Sequence, residues 1–192
     1  VELASGGICG NQVEVTVTNG TVFAFTGGKM SMRATCTVKG EGELLIAGGA
    51  HDMSFSIDAH ITISGGYMIW PLSRGPSQTI TFKGGLLIEG DGTLEIQPYS
   101  TKIIVYGEVI FRDQCLLQFP MMGIAAQPSN SDRPDAPDAT PRGTLNAVDS
   151  MYWAGGTLRG KADFIAQNTL VITGGEKRIR SLAKLVNNGT AE

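Results

Sequence analysis

Short apolar runs, alternating with polar residues at a period of two and broken by glycine, recur along most of the chain. Val13, Val15 and Val17 alternate with Glu14 and Thr16, and Val22-Phe23-Ala24-Phe25 follows. The texture continues through Ala34, Cys36 and Val38, Leu44-Leu45-Ile46, then Met53, Phe55 and Ile57. Ile61 and Ile63, Ile80 and Phe82, Leu86-Leu87-Ile88, Leu94 and Ile96, Ile103 to Tyr106 and Val109-Ile110-Phe111 extend it. A period of two sends alternate side chains to opposite faces, and β-branched and aromatic residues fit a pleated, half-buried surface, so these runs predict strands. Only Arg180 to Val186, with Leu182, Leu185 and Val186, offers a helix-compatible spacing, and it is too short to hold a helix by itself.

The breaks carry a second rhythm. Seven Gly-Gly pairs occur, at Gly6-Gly7, Gly27-Gly28, Gly48-Gly49, Gly65-Gly66, Gly84-Gly85, Gly155-Gly156 and Gly174-Gly175. Successive spacings are 21, 21, 17 and 19 residues, then 71, then 19. Short strands with turns at a coil-length beat predict a parallel β-helix, in which glycine is wanted where the chain turns sharply under the coil above. The rival is an antiparallel sandwich or barrel, whose tight hairpins would show as Asn-Gly or Asp-Gly between matched strands. Asn19-Gly20 and Asp91-Gly92 fit that description, but only those two are well placed, which leaves the sandwich or barrel as the alternative. Irregular corners and the lack of a strict six-residue repeat favour a right-handed helix, of roughly eight coils and about 40 Å long at ~4.8 Å per coil.

The beat breaks between Gln118 and Arg142, where five prolines and three aspartates, Asp132, Asp135 and Asp138, interrupt the strand texture. Without residues 118–142 the long gap becomes two coils of about 23 residues, so the stack is expected to continue across a loop insertion. Loops protruding from solenoids often carry binding function, which makes these three aspartates candidate binding residues. The chain reads as one domain over 1–192, and its first and last residues suggest a segment cut from a larger protein.

Charge narrows the partners. A net charge of −3, with 15 basic residues spread along 192, gives no footprint for nucleic acid or an anionic membrane. No apolar run approaches the ~20 residues of a membrane-spanning helix. Cys9, Cys36 and Cys115 have no metal-ligand spacing, and no metal or cofactor is expected. In an oxidising compartment Cys9 and Cys36 could pair between adjacent coils; three reduced core thiols are the alternative. Asn19 and Asn188 head glycosylation sequons, although each Asn-Gly also reads as an ordinary turn.

The densest polar cluster runs from His51 to His60. On a continuous strand Asp52, Ser54, Ser56, Asp58 and His60 would share one face, opposite Met53, Phe55, Ile57 and Ala59. A solvated face explains that arrangement; acid/base chemistry would need two or three such groups to converge. Asp52, Asp58, His60 and Glu89 are therefore the catalytic candidates, for a polysaccharide lyase or glycoside hydrolase working on exterior carboxylates. Tyr152 and Trp153, beside the insertion and a Gly pair, are candidates for a sugar-stacking platform in a non-catalytic carbohydrate-binding module, with core packing as the alternative.

The C-terminal third carries a resemblance. Gly155-Gly156-Thr157-Leu158-Arg159-Gly160, Asn168-Thr169-Leu170-Val171-Ile172-Thr173-Gly174-Gly175 and Leu185-Val186-Asn187-Asn188-Gly189-Thr190 resemble the repeats of filamentous-haemagglutinin and autotransporter-passenger β-helices. Gly92-Thr93-Leu94 and Gly143-Thr144-Leu145 echo the same unit. The resemblance implies a secreted or cell-surface stalk, adhesin or scaffold that meets protein or glycan partners, and it carries no catalytic residues across. Open solenoid ends add an expectation of end-to-end or edge association.

Overall fold

In the computed structural model, residues 1–10, 12–32, 35–53, 56–70, 79–97, 101–119 and 142–192 are described. They form a parallel β-solenoid in which each of eight coils contributes one strand to each of three sheets, Thr190–Ala191 adds a ninth strand to the first, and no helix occurs among them. The first sheet has nine strands: Glu2–Leu3, Val22–Phe25, Glu43–Ile46, His60–Ile63, Leu86–Ile88, Val109–Phe111, Ser150–Trp153, Thr169–Ile172 and Thr190–Ala191. The second has eight: Gly7–Cys9, Met30–Met32, Ala50–Met53, Tyr67–Trp70, Thr93–Ile96, Leu116–Gln118, Gly156–Arg159 and Lys177–Arg180. The third also has eight: Glu14–Thr16, Thr37–Lys39, Ser56–Ile57, Thr79–Phe82, Lys102–Val105, Gly143–Ala147, Ala162–Ala166 and Lys184–Asn187. All pairings between described strands are parallel, which removes the sandwich and barrel alternative: Asn19-Gly20 and Asp91-Gly92 turn corners between parallel strands.

The alternation seen in the sequence sets the inside and the outside. In the first sheet Leu44, Ile61, Leu86, Val109, Met151 and Leu170 stack in register and are buried, as are Ile46, Ile63, Ile88, Phe111 and Trp153 two positions on. Each such side chain packs on its counterpart one coil above and one below, at roughly 1.5–3 kcal/mol per large apolar side chain removed from water. The aromatic residues lock neighbouring coils and sheets: Phe119 meets Phe164 edge-on at 5.9 Å, and Trp70 meets Phe82 at 5.7 Å.

Six of the seven glycine pairs lie where the chain turns from the first sheet onto the second. Gly49 shows why. Its φ of 80° lies in the left-handed region, and a Cβ there would fall on the carbonyl oxygen of Gly28 in the coil below. In one coil without a pair at this corner, Asp113 takes the left-handed conformation with φ 62°, and its carboxylate accepts the Gly90 N–H at 3.2 Å.

One sequence expectation needs correction. Gly84-Gly85 belongs to a different corner, between the third sheet and the first, so its even spacing from Gly65-Gly66 mixed two corners of one unusually long coil. Arg180 to Val186 is not helical: the chain runs from Lys177–Arg180 through a turn at Ser181, φ 64°, into Lys184–Asn187. Backbone pairing with the preceding coil outweighs a weak local helix pattern, since Arg159↔Arg180 and Phe164↔Leu185 are in register.

Candidate functional site

The coil has three corners, and only one varies much in length. From the first sheet to the second, and from the third to the first, strands are joined by two to five residues. From the second sheet to the third, eight residues separate Trp70 from Thr79, five separate Ile96 from Lys102, and twenty-four separate Gln118 from Gly143. These three connections belong to consecutive coils, so stacking brings their points of departure to one edge of the second sheet. Most of their residues, including Asp132, Asp135 and Asp138, lie outside the described residues.

The ends of the longest connection are firmly held. Before it, Phe119 is buried and its N–H donates to the Arg159 carbonyl at 3.0 Å. After it, the Gly143 N–H donates to the Lys161 carbonyl at 2.9 Å, with the Phe119 ring where a Cβ of residue 143 would stand. Arg142 donates from Nε to Asp163 Oδ1 at 2.8 Å and from Nη2 to the carbonyls of Ala162, at 3.3 Å, and Leu182. The guanidinium thus spans two coils at the point where the chain re-enters the stack.

The outer face of the second sheet beside this edge carries a polar belt across the same coils. Glu95 accepts hydrogen bonds from the Tyr67 hydroxyl one coil below, from Gln97 Nε2 on its own strand's end, and from Gln118 Nε2 one coil above at 2.5 Å. Register explains the meeting: Glu95 is paired with Gln118, and Tyr67 with Thr93. Burial raises the Glu95 pKa, but the three donors outweigh it and hold the carboxyl below its ordinary range. The Tyr67 hydroxyl is pushed up to about 12, by burial first and then by its bond to Glu95. A carboxylate with three donors is a poor base, so this belt ties three coils together and presents a fixed polar surface next to the long connections. Sequence reasoning missed it because Tyr67 and Gln118 stand 28 and 23 residues from Glu95, unequal separations set by unequal connections.

The catalytic candidates are distributed around the coil. The run from His51 to His60 is not one strand but touches all three sheets, so Asp52, Asp58 and His60 do not share a face. Asp52 is on the second sheet and pairs with Lys29 at 3.2 Å; Asp58 follows the third and pairs with Lys83 at 2.7 Å. His60 opens a strand of the first sheet, opposite Glu43, and Glu89 just beyond that sheet pairs with Arg112 at 2.7 Å. The four thus stand on different sheets and corners of the coil, each of the three carboxylates with a basic partner of its own. His51 is buried: Met30 N–H donates to its Nδ1 at 3.3 Å, which leaves Nε2 to donate to the Gly48 carbonyl at 2.6 Å.

Tyr152 and Trp153 do not form a stacking pair. They are adjacent on one strand, so they point to opposite faces, and Trp153 is in the core. The Cys9 and Cys36 sulfurs lie 3.2 Å apart as free thiols, and Cys115 is a buried thiol pushed up to about 11 by that burial. Asn19 is exposed at a corner, and Asn188 donates to Gln167 Oε1 at 3.3 Å. Among the described residues no cluster of His, Cys, Asp and Glu could hold a metal ion. A groove of about 540 Å³ lies at the opposite, glycine-rich corner and is lined by Asp113, Gln114, Thr157, Glu176 and Arg178. Comparison with family models, with curated proteins and with solved structures returns no match.

Proposed function

We propose that this chain is a rigid stalk or scaffold segment of an extracellular or cell-surface protein, built like the filamentous-haemagglutinin and autotransporter-passenger repeats, and that it presents one corner to a protein or glycan partner. One observation carries the reading: the two connections longer than five residues, of eight and twenty-four, both lie at a single corner, two coils apart, while the other two corners stay at two to five residues throughout. Three in-register sheets give the rod its stiffness, and variation is concentrated where a partner can reach it. The Glu95 belt fixes the coils from which those connections leave.

The test compares the chain with a variant in which a short Gly/Ser linker replaces residues 120–141. Both are applied, labelled, to a glycan array and to cell surfaces. The chain is expected to bind and the variant to lose binding while keeping its circular dichroism. Equal binding by both would remove the corner from recognition. Release of reducing or unsaturated ends from any polysaccharide would replace the scaffold reading by an enzymatic one.

A further inference from the structure

Cys9 closes the strand Gly7–Cys9 of the first coil, and Cys36 stands just before Thr37–Lys39 of the second. Their Sγ atoms are 3.2 Å apart, and the Cys36 thiol also faces the Gly10 carbonyl at 3.0 Å. A disulfide has its sulfurs at about 2.05 Å, so roughly 1 Å of sulfur movement closes the bond. The two residues differ in access: Cys36 is fully buried, whereas Cys9 is only partly so. Cys9 also lines an apolar hollow of about 260 Å³ with Leu3, Ile8, Val15, Phe25 and Met32. The coil that Cys9 belongs to is the least buried part of the N-terminal half, with Ile8 71 % exposed and Val13 38 %.

From this geometry we infer that Cys9 and Cys36 are a disulfide site that staples the first coil to the second, closed by exchange with a small-molecule disulfide. The Cys9 thiolate attacks one sulfur of the small disulfide, forming a mixed disulfide and releasing one small thiol. The Cys36 thiolate then attacks the Cys9 sulfur and expels the second small thiol. Two protein thiols are oxidised, one small disulfide is reduced to two thiols, and the protein loses two hydrogens. The order follows access, since the partly exposed sulfur meets the reagent and the buried one resolves the intermediate. Burial and the neighbouring Cys36 thiol push Cys9 up to about 11, so exchange is slow at neutral pH and accelerates as pH rises toward that value. Cys115, buried in the sixth coil, has no cysteine partner and stays reduced.

The chain is incubated natively with oxidised glutathione, unfolded in acid, alkylated and weighed. The expected product is lighter than the reduced protein by two hydrogens before alkylation and takes one alkyl group, at Cys115. Amide exchange in residues 1–16 should slow by on the order of 100-fold, the effect of closing a loop of this length. Cys36→Ser should stop at a stable Cys9–glutathione adduct, which shows the first step without requiring the second. Three alkylated cysteines in the treated wild type, a persistent glutathione adduct on it, or a disulfide involving Cys115 would each overturn the inference.

Discussion

The corner between the first and second sheets and the corner between the second and third are made by the same coils, yet they obey different rules. At the first, Gly48 and Gly49 pass directly over the backbone of the coil below at Thr26 to Gly28, and a Cβ on either would meet a carbonyl oxygen. At the second, Gly10 would meet nothing within 4 Å, and connections grow to eight and twenty-four residues. The freedom is not a property of the corner alone. Where it is made from Gly160 and Lys161 only, Gly160 has φ 108° and a Cβ would fall on the Phe119 carbonyl oxygen. A corner in contact with the coil beneath is confined to small residues in fixed conformations; one that leaves the stack carries sequence of any length at little cost.

The sharpest way to break this comparison is Gly49→Ala, which must force a left-handed alanine against the Gly28 carbonyl and should cost about 3 kcal/mol in denaturant unfolding. Gly10→Ala is its control and should stay within about 0.5 kcal/mol of the wild type. Equal costs would mean that coil contact does not set the glycine pattern. Next in size is Glu95→Gln, expected to cost about 1–2 kcal/mol at neutral pH by placing an amide against three donors. The pH profile gives its sign. Because the folded carboxyl ionises below its ordinary range, its contribution is complete above the unfolded value of about 4.3 and is lost as pH falls through the lower folded value. The variant should therefore lose less stability than the wild type on acidification, and parallel profiles would count against the belt.

Replacing residues 120–141 by a short linker should change unfolding free energy by only about 1 kcal/mol, because loop closure depends weakly on length and Phe119 and Arg142 keep their anchors. A collapse of stability would place those residues inside the folding unit. The smallest effect is expected for Lys83→Ala. Its ion pair with Asp58 is largely exposed, so thermal unfolding should show a change of about 0.5 kcal/mol or less.

The glycine pairs and the two-residue alternation were legible because each reports a local necessity: a backbone turning without room for Cβ, and a strand with one face in the core. The candidate site was much less legible. Glu95 and Gln97 sit two apart, the second just past the end of the first's strand, but nothing in the chain announces that Tyr67 and Gln118 converge on Glu95. The apparent polar face from Asp52 to His60 failed for the complementary reason, since alternation persists through corners and does not reveal that the strand has turned. Tyr152 and Trp153 illustrate the limit at its smallest scale: adjacency in sequence becomes opposition across a sheet.

By itself, then, the sequence determined that short parallel strands wind about an axis with glycine at a recurrent corner, because apolar period and backbone sterics act within a few residues. The tertiary structure alone decided which coil lies over which, and so which side chains meet. That choice depends on register between segments more than twenty residues apart, and the connections of unequal length at one corner erase any fixed spacing from which it could be read.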